Sequence, residues 1–526
     1  MAKKKKENTL SYLQMPLPSG SKYSKMTKVA FGGLNKRYTI DSGNLSMESN
    51  ISTSEYPYLT PSNSKKAILN KYTNPISMFA FDNFLIVVYR EKETIKIDYI
   101  TESNNTYTGT LKSSGATSAD DVPRSIVQFN VFEEGETGTI VDGDFRKRLL
   151  IFPDKKSMFF NVDDLLNDEN NKNNDDFVLY DMDSDDGTIV TPPIKYATVH
   201  LSRVFGVSDD CVFASGFNDY TNWALDTSDE YNESNAWMSQ TQSNTKADGK
   251  FTGIINFQGH IVCFKRDYMH EIYNTKNPFR IQDIYAEGTI DNRTIQDVDG
   301  KLIFVSEDDV KIYTGSNPRI IGYNLNMPNY KYAVSGTDNR NYYLYCEDAP
   351  GNQYLYVYDT FTDLWSEQSI DNRVISFAHN KNGMYMLCSN GTVYKMDTDD
   401  YSHNWSFETD LITNKTVDIK HIKKLQMLVD IPSTLYNGSP NYADEDKNPP
   451  KTKVYVLYDD DIFNDMSPEE KAKRLVYSST KTGKFPIRVK PRNTANYGFK
   501  LHIEGAGYVK LYELEIFVEA GGDMYV

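Results

Sequence analysis

Apolar residues in this chain come in short runs, and the runs come in pairs. A turn residue opens an apolar strand, a short polar turn follows, and a second strand ends on an aromatic. The first copy reads Asp82-Asn83-Phe84-Leu85-Ile86-Val87-Val88-Tyr89 and continues through Ile95, Ile97 and Tyr99. The most regular copy is Gly300-Lys301-Leu302-Ile303-Phe304-Val305, then Glu307-Asp308-Asp309, then Val310, Ile312 and Tyr313. Seven copies are found, anchored at Leu85, Leu149, Val204, Ile261, Leu302, Tyr342 and Met384, at intervals of 64, 55, 57, 41, 40 and 42 residues. The last three intervals match the roughly 40–50 residues of one propeller blade. The longer ones leave room for polar insertions, visible at 163–186 and 226–235. A hairpin cannot bury both of its faces alone, and radial repetition solves that problem. Regularly spaced hairpins also fit a β-sandwich, the competing arrangement. The expectation is an all-β protein with a β-propeller of about seven blades over residues 76–400.

Two regions lie outside the repeats. Residues 1–75 are rich in Ser, Asn, Pro and Lys and read as an extended N-terminal arm, anchored by Phe31, Leu34, Tyr56, Tyr58 and Leu59. Residues 401–526 read as a separate β-sandwich or barrel, with strands at 425–429, 454–458, 499–503 and 514–518. The last of these alternates apolar and acidic residues, as a strand with one wet face does. Ser467-Pro468-Glu469-Glu470 places a capping serine, a proline at the first helical position and a glutamate at the third. It predicts a short helix ending near Leu475. Asn437–Lys451, with three prolines, reads as a loop.

Composition narrows the function classes. Of 526 residues, 39% are hydrophobic, and Tyr and Phe number 38 and 26 against 4 Trp, a β-favouring mixture. No apolar run is long enough for a membrane-spanning helix, and Lys3–Lys6 lacks the apolar segment of a secretory signal. Cys211, Cys263, Cys346 and Cys388 are far apart and read as buried free thiols made in a reducing compartment. Lys and Arg total 57 against 73 Asp and Glu, a net charge of −16. That balance opposes tight binding to duplex DNA, which needs clustered cations to displace counterions.

The candidates for chemistry do not add up to a site. Asp181, Asp183, Asp185 and Asp186-Gly187 suggest a calcium loop, but positions 6 and 12 hold Asp186 and Pro192 where Gly and Glu are needed. Asp459-Asp460-Asp461 reads as a hairpin turn. His200, His260, His270, His379, His403, His421 and His502 show no metal-ligand spacing. No nucleophile elbow, phosphate loop or dinucleotide fingerprint occurs. A propeller glycosidase would need a specific carboxylate pair, and the abundance of acids singles out none. The expectation is therefore no catalytic residue, no cofactor, no metal and no enzymatic activity.

Both ends carry a resemblance. Phe31-Gly32-Gly33-Leu34-Asn35, Met47-Glu48-Ser49-Asn50-Ile51-Ser52 and Tyr56-Pro57-Tyr58-Leu59-Thr60-Pro61 are similar to the opening of virion-associated propeller proteins of tailed bacteriophages. Ser62 stands where that family often has Arg. Phe485-Pro486-Ile487-Arg488-Val489-Lys490-Pro491-Arg492, Tyr497–Leu501 and Gly505-Ala506-Gly507 resemble the same family's C-terminus, as does the tail Glu519-Ala520-Gly521-Gly522. The resemblance implies a structural tail protein of the nozzle type (tail tubular protein B, packaged-DNA stabilisation). Such a protein forms a ring homo-oligomer, expected to be a hexamer, below the portal and adaptor and beside tail fibre proteins. Phage DNA passes through it transiently, it inserts into no membrane, and it is assembled in the host bacterial cytoplasm before residing in the virion tail. An acidic, polar lumen would let DNA slide. Two rivals remain: a distal receptor-binding or baseplate protein reading host glycan through exposed residues such as Trp223 and Trp237, and a wall-opening propeller glycosidase.

Overall fold

The computed structural model describes the chain from Tyr23 to Ala520, apart from residues 29, 93, 102–105, 111–123, 133–144, 154–156, 163–178, 185–186, 226–233, 241–248, 275, 285, 328–329, 416–418, 445, 459–460 and 492–495. Lys3–Lys6, most of both polar insertions, Asp185, Asp186, Asp459, Asp460, Arg492 and the Gly521-Gly522 tail lie outside the described residues.

Seven four-stranded antiparallel sheets follow one another along the chain, six of them meanders of consecutive strands. Their strands begin at Pro75, Ser125, Tyr196, Gly253, Gln296, Tyr330 and Val374. All seven sequence anchors fall on the second strand of their sheet and are buried. The strand Phe84–Glu91 shows why its run is apolar without alternation. Phe84, Ile86 and Val88 pack against the second sheet, while Leu85 and Val87 pack against the seventh. Both faces are buried, so both parities are apolar. Each successive pair of sheets shares one such core. Ile126, Leu149 and Ile151 meet the first sheet; Phe129, Leu150 and Phe152 meet Val204 of the third. Phe205 meets Ile261; Phe264 meets Phe304; Val305 meets Leu344; Tyr345 meets Met386. Leu387 of the seventh sheet returns to Val87 of the first. Seven shared cores in cyclic order make a seven-bladed β-propeller, and the competing face-packed sandwich is excluded for this span.

The ring is sealed from outside the expected span. The fourth strand of the seventh blade is Lys66–Asn70, paired with Thr392–Lys395. Gly391 permits this: a Cβ there would stand 1.8 Å from the Tyr72 carbonyl oxygen, and its φ of +82° suits glycine. The sheets thus place no boundary between residues 75 and 76.

Nine of the remaining strands form a β-sandwich, settling the sandwich-or-barrel alternative, while Ile51–Ser52 and Thr60–Pro61 pair with each other. One sheet runs Tyr23–Lys28, Lys510–Ala520, Lys420–Ile431, Gly483–Val489; the other runs Leu45–Ser49, Asn404–Thr409, Phe499–Ala506, Lys451–Tyr458, Leu475–Ser479. Phe31, Leu45, Leu59, Phe407, Leu425, Met427, Leu501 and Ile516 share the core between them. Over its described part the N-terminal segment is paired with the rest of the chain. It supplies an edge strand to each sandwich sheet and the closing strand of the propeller. Pro468–Arg474 is helical, with both hydrogen bonds of the Ser467/Glu470 capping box present. No helix among the described residues is long and apolar enough to cross a membrane.

Candidate functional site

The N-terminal motifs at 31–35 and 47–52 lie at the joint between propeller and sandwich. Gly33 passes so close to the sixth blade that a Cβ would lie 2.5 Å from the Trp365 carbonyl oxygen. The Leu34 amide donates to that oxygen at 2.8 Å, and its side chain enters the core shared by blades five and six. Asn50 ties three elements together. Its Oδ1 accepts from the Ser369 amide at 2.9 Å and the Ser369 hydroxyl at 3.0 Å, and its Nδ2 donates to the Asn404 carbonyl at 2.7 Å. Its own amide donates to Glu367 of the sixth blade at 2.9 Å.

Beside this staple lies a buried charge cluster. Lys36 Nζ donates to the Tyr356 hydroxyl at 2.8 Å, pairs with Glu367 at 2.8 Å and lies 4.3 Å from the centre of the Tyr354 ring. Glu48 is 3% exposed, and neither of its side-chain oxygens has a hydrogen-bond partner. Burial, then the neighbouring Glu367 charge, push its carboxyl well above the usual range. Burial also raises Glu367, with Lys36 opposing. One half-buried ammonium against two carboxyls, of which Glu48 alone is enclosed, favours the proton on Glu48.

A polar cleft of about 970 Å³ opens next to the joint, between the seventh blade and the sandwich; Asn50, Ser64, Lys65, Asp371, Asn372, Cys388, Asp400 and His403 are among its lining residues. Lys65 Nζ donates to the Ser369 carbonyl. Burial lowers its pKa to about 8, against the opposing pull of Cys388 and Asp371. Ser64 Oγ and His403 Nδ1 are 2.6 Å apart. Burial, then the Lys65 charge, lower His403 to about 4. An imidazole of that basicity holds almost no proton at neutral pH, a poor match for general-base work on the serine. Burial raises the Cys388 thiol to about 12, with Lys65 opposing, which disfavours a thiolate there.

The other sequence candidates go to structural duties. Asp461 accepts from Arg474 Nε at 2.6 Å and from the Tyr458 amide at 2.9 Å, closing a turn. Asp183 accepts from the Thr191 amide at 2.8 Å. His260 contacts Glu271 at 3.1 Å and His270 contacts Asp283 at 2.8 Å, both inside the fourth blade. His502 stacks on Phe463 at 3.6 Å, with Glu408 and Glu504 at 3.7 and 3.8 Å. No group of three or more His, Cys, Asp or Glu among the described residues has metal-binding geometry. Trp223 and Trp237 are not exposed platforms. Both are half-buried against inter-blade cores, Trp237 edge-on to Phe279 at 5.3 Å. Sequence reading missed Lys36, Glu48 and Glu367 as a unit. Only the Met47–Ser52 motif pointed at one of them.

No family model and no curated protein matches the chain. Among solved structures, it is similar to the extracellular domain of a one-component system from B. thetaiotaomicron, at 10% identity and TM-score 0.41 over 87% of this chain. The chain spans 62% of that domain's length. It is also similar to BamB from Moraxella catarrhalis, at 9% identity and TM-score 0.33, covering 66% of this chain and 96% of that one. A third likeness is to the WD40 domain of Toxoplasma gondii coronin, at 8% identity and TM-score 0.37, covering 67% and 88%. The propeller assignment rests on the seven sheets and their seven shared cores.

Proposed function

We propose that this chain is a non-enzymatic structural component of a bacteriophage tail, of the nozzle type. In this reading copies of the chain form a ring, a hexamer in the simplest case, beneath the portal and adaptor. The ring carries the DNA exit path, retains the genome before ejection and meets tail fibre proteins at its outside. It assembles in the host cytoplasm and acts in the virion. One observation carries the reading: the N- and C-terminal segments that resemble the phage family share one sandwich core, so the resemblance covers a folded unit and its joint to the propeller. The net charge of −16 supports a conduit, since an acidic wall repels phosphate and adds no binding barrier to sliding. Function then resides in surfaces.

The polar cleft favours a second reading, a distal protein that binds host glycan there through Asn, Asp and Ser side chains. Electron cryo-microscopy of the virion separates the two. A ring of this chain between adaptor and fibres is expected, with a lumen lined by Asp, Glu, Asn, Ser and Thr. Density at the distal fibre tip, or a lumen of Lys and Arg, overturns the nozzle.

A further inference from the structure

Acids outnumber cations in this chain, yet residues 471–503 hold nine Lys and Arg and no Asp or Glu. The stretch runs through the end of the helix Pro468–Arg474 and the strands Leu475–Ser479 and Gly483–Val489 into Phe499–Ala506. Topology gathers most of it on one flank. Gly483–Val489 is an edge of the four-stranded sandwich sheet, and Leu475–Ser479 is an edge of the five-stranded one. Residues 480–482 join the two edges, so both lie on the same side of the sandwich. The opposite edge of the five-stranded sheet, Leu45–Ser49, leads into Asn50, which is bonded to the sixth blade. The cationic flank lies across the sandwich from the joint.

Lys473, Lys481, Lys484, Arg488 and Lys490 are exposed. Arg474 pairs with Asp461 at 2.6 Å and Lys500 with Glu408 at 2.9 Å, but among the described residues no carboxylate pairs with the five exposed cations. Lys484 and Asp430 are cross-strand neighbours, yet the Lys484 ammonium lies over Tyr512, 4.1 Å from its ring centre. Along Gly483–Val489, buried Phe485, Ile487 and Val489 alternate with exposed Lys484, Pro486 and Arg488, so the two cations share one face. From Lys484 to Lys490 an extended chain covers about 20 Å, along which one strand of a duplex carries about six phosphates.

Charged edges guard a sheet against pairing with other chains, which accounts for Lys484, Pro486 and Arg488. It does not account for Lys473 on the helix, for Lys490 beyond the strand, or for the absence of acids throughout. The same surface disfavours a protein partner, because protein interfaces centre on apolar residues and are depleted of charge there. Among the described residues of the two edge strands, Leu475 is the only large apolar side chain exposed, at 38%. The exposed residues between the cations include Ser478, Thr480 and Thr482. Hydroxyls beside Lys and Arg are the donors that hold phosphate oxygens.

We infer that this flank, centred on Lys481, Lys484, Arg488 and Lys490, binds the phosphate backbone of duplex nucleic acid without reading its sequence. Such binding needs clustered cations rather than a basic chain, and here the cations cluster. The inference goes beyond the nozzle reading and does not require it.

The test follows the fluorescence anisotropy of a short mixed-sequence DNA duplex mixed with the full chain or with the triple variant Lys484→Glu, Arg488→Glu, Lys490→Glu. All three positions are exposed, so unchanged melting is expected. At about 50 mM salt the wild type should bind, and the variant should bind at least about tenfold more weakly, with a salt slope shallower by about three. The same charge change on exposed propeller positions, Lys92→Glu, Lys331→Glu, Lys381→Glu, should weaken binding far less. Equal losses from both triple variants would mean that net charge alone acts, and overturn the inference. Binding to poly-glutamate as tight as to DNA would mark a protein partner and overturn it too. A wild type that ignores DNA at about 50 mM salt overturns it and leaves the nozzle reading standing. A virion map with this flank facing the lumen sinks the nozzle reading and keeps the contact.

Discussion

A propeller strand and a sandwich strand of this protein bury different fractions of themselves, and their sequences say so. Phe84–Val88 packs a blade on either side and is apolar at every position. Gly483–Val489 packs only Phe485, Ile487 and Val489 inward, leaving Lys484, Pro486 and Arg488 exposed. The two regions also differ in reach. Six of the seven blades are built from consecutive strands, so their pairings are local. The sandwich pairs Tyr23–Lys28 with Leu514–Glu519, near opposite ends of the chain. Local pairings cost little loop-closure entropy; the sandwich and the seventh blade must wait for distant partners.

Removing residues 1–72 tests that contrast hardest. It strips an edge strand from each sandwich sheet and the closing strand from the seventh blade. Loss of cooperative folding is expected in calorimetry and limited proteolysis, a larger effect than impaired assembly alone. A truncated chain that melts like the whole would mean the N-terminal pairings contribute little. Next in size are two matched cavities, Leu425→Ala in the sandwich and Leu302→Ala in the propeller, both fully buried. Each should cost about 2–5 kcal/mol. Calorimetry resolving two transitions should show each variant lowering its own. A single shared transition would mean that the joint couples the two units completely.

The joint and the sandwich face should respond to pH with opposite sign. Glu48 holds its proton in the folded state more tightly than when unfolded. Its contribution is therefore most favourable at acid pH and is lost as pH rises past the unfolded value of about 4.5 towards the raised folded one. Glu48→Gln should raise the melting temperature at pH 8 and change it little at pH 4. Glu504 lies the other way: the His502 imidazole 3.8 Å away, and then hydrogen bonds from Lys453 and Tyr455 against the penalty of burial, hold it at about 2. Its contribution is present above pH 4.5 and lost on acidification towards pH 2. Glu504→Gln should narrow the stability difference between pH 7 and pH 3. Equal pH profiles for all three proteins would refute both assignments. The smallest effect is expected at the exposed helix Pro468–Arg474, where Ser467→Ala removes one cap for about 1 kcal/mol of sandwich stability.

Sequence reading reached the blade hairpins because two buried faces demand apolar residues at every position, and polar turns mark the interval. Leu302–Val305 and Val310–Tyr313 were legible for that reason, and so was the Ser467 cap, whose geometry is local. Lys66–Asn70 was not legible as a blade strand. It is only half-buried at Ile68 and Leu69 and lies far in sequence from its partner Thr392–Lys395. The site was less legible still. Glu48 and Lys36 are ordinary charged residues in the sequence, and only the approach of Glu367 on the sixth blade makes them a buried cluster.

The sequence by itself determined what depends on one residue's own neighbourhood: strand and turn alternation, the repeat interval, the capped helix and the acidic balance. The tertiary structure alone decided what depends on distant partners. Among those are the ring closure through residues 66–70, the sandwich built from both ends of the chain, and the burial of Glu48. Backbone hydrogen bonding between strands carries no side-chain code for its partner, so pairing across hundreds of residues leaves no local pattern. The carboxyl of Glu48 becomes unusual only when packing removes its water.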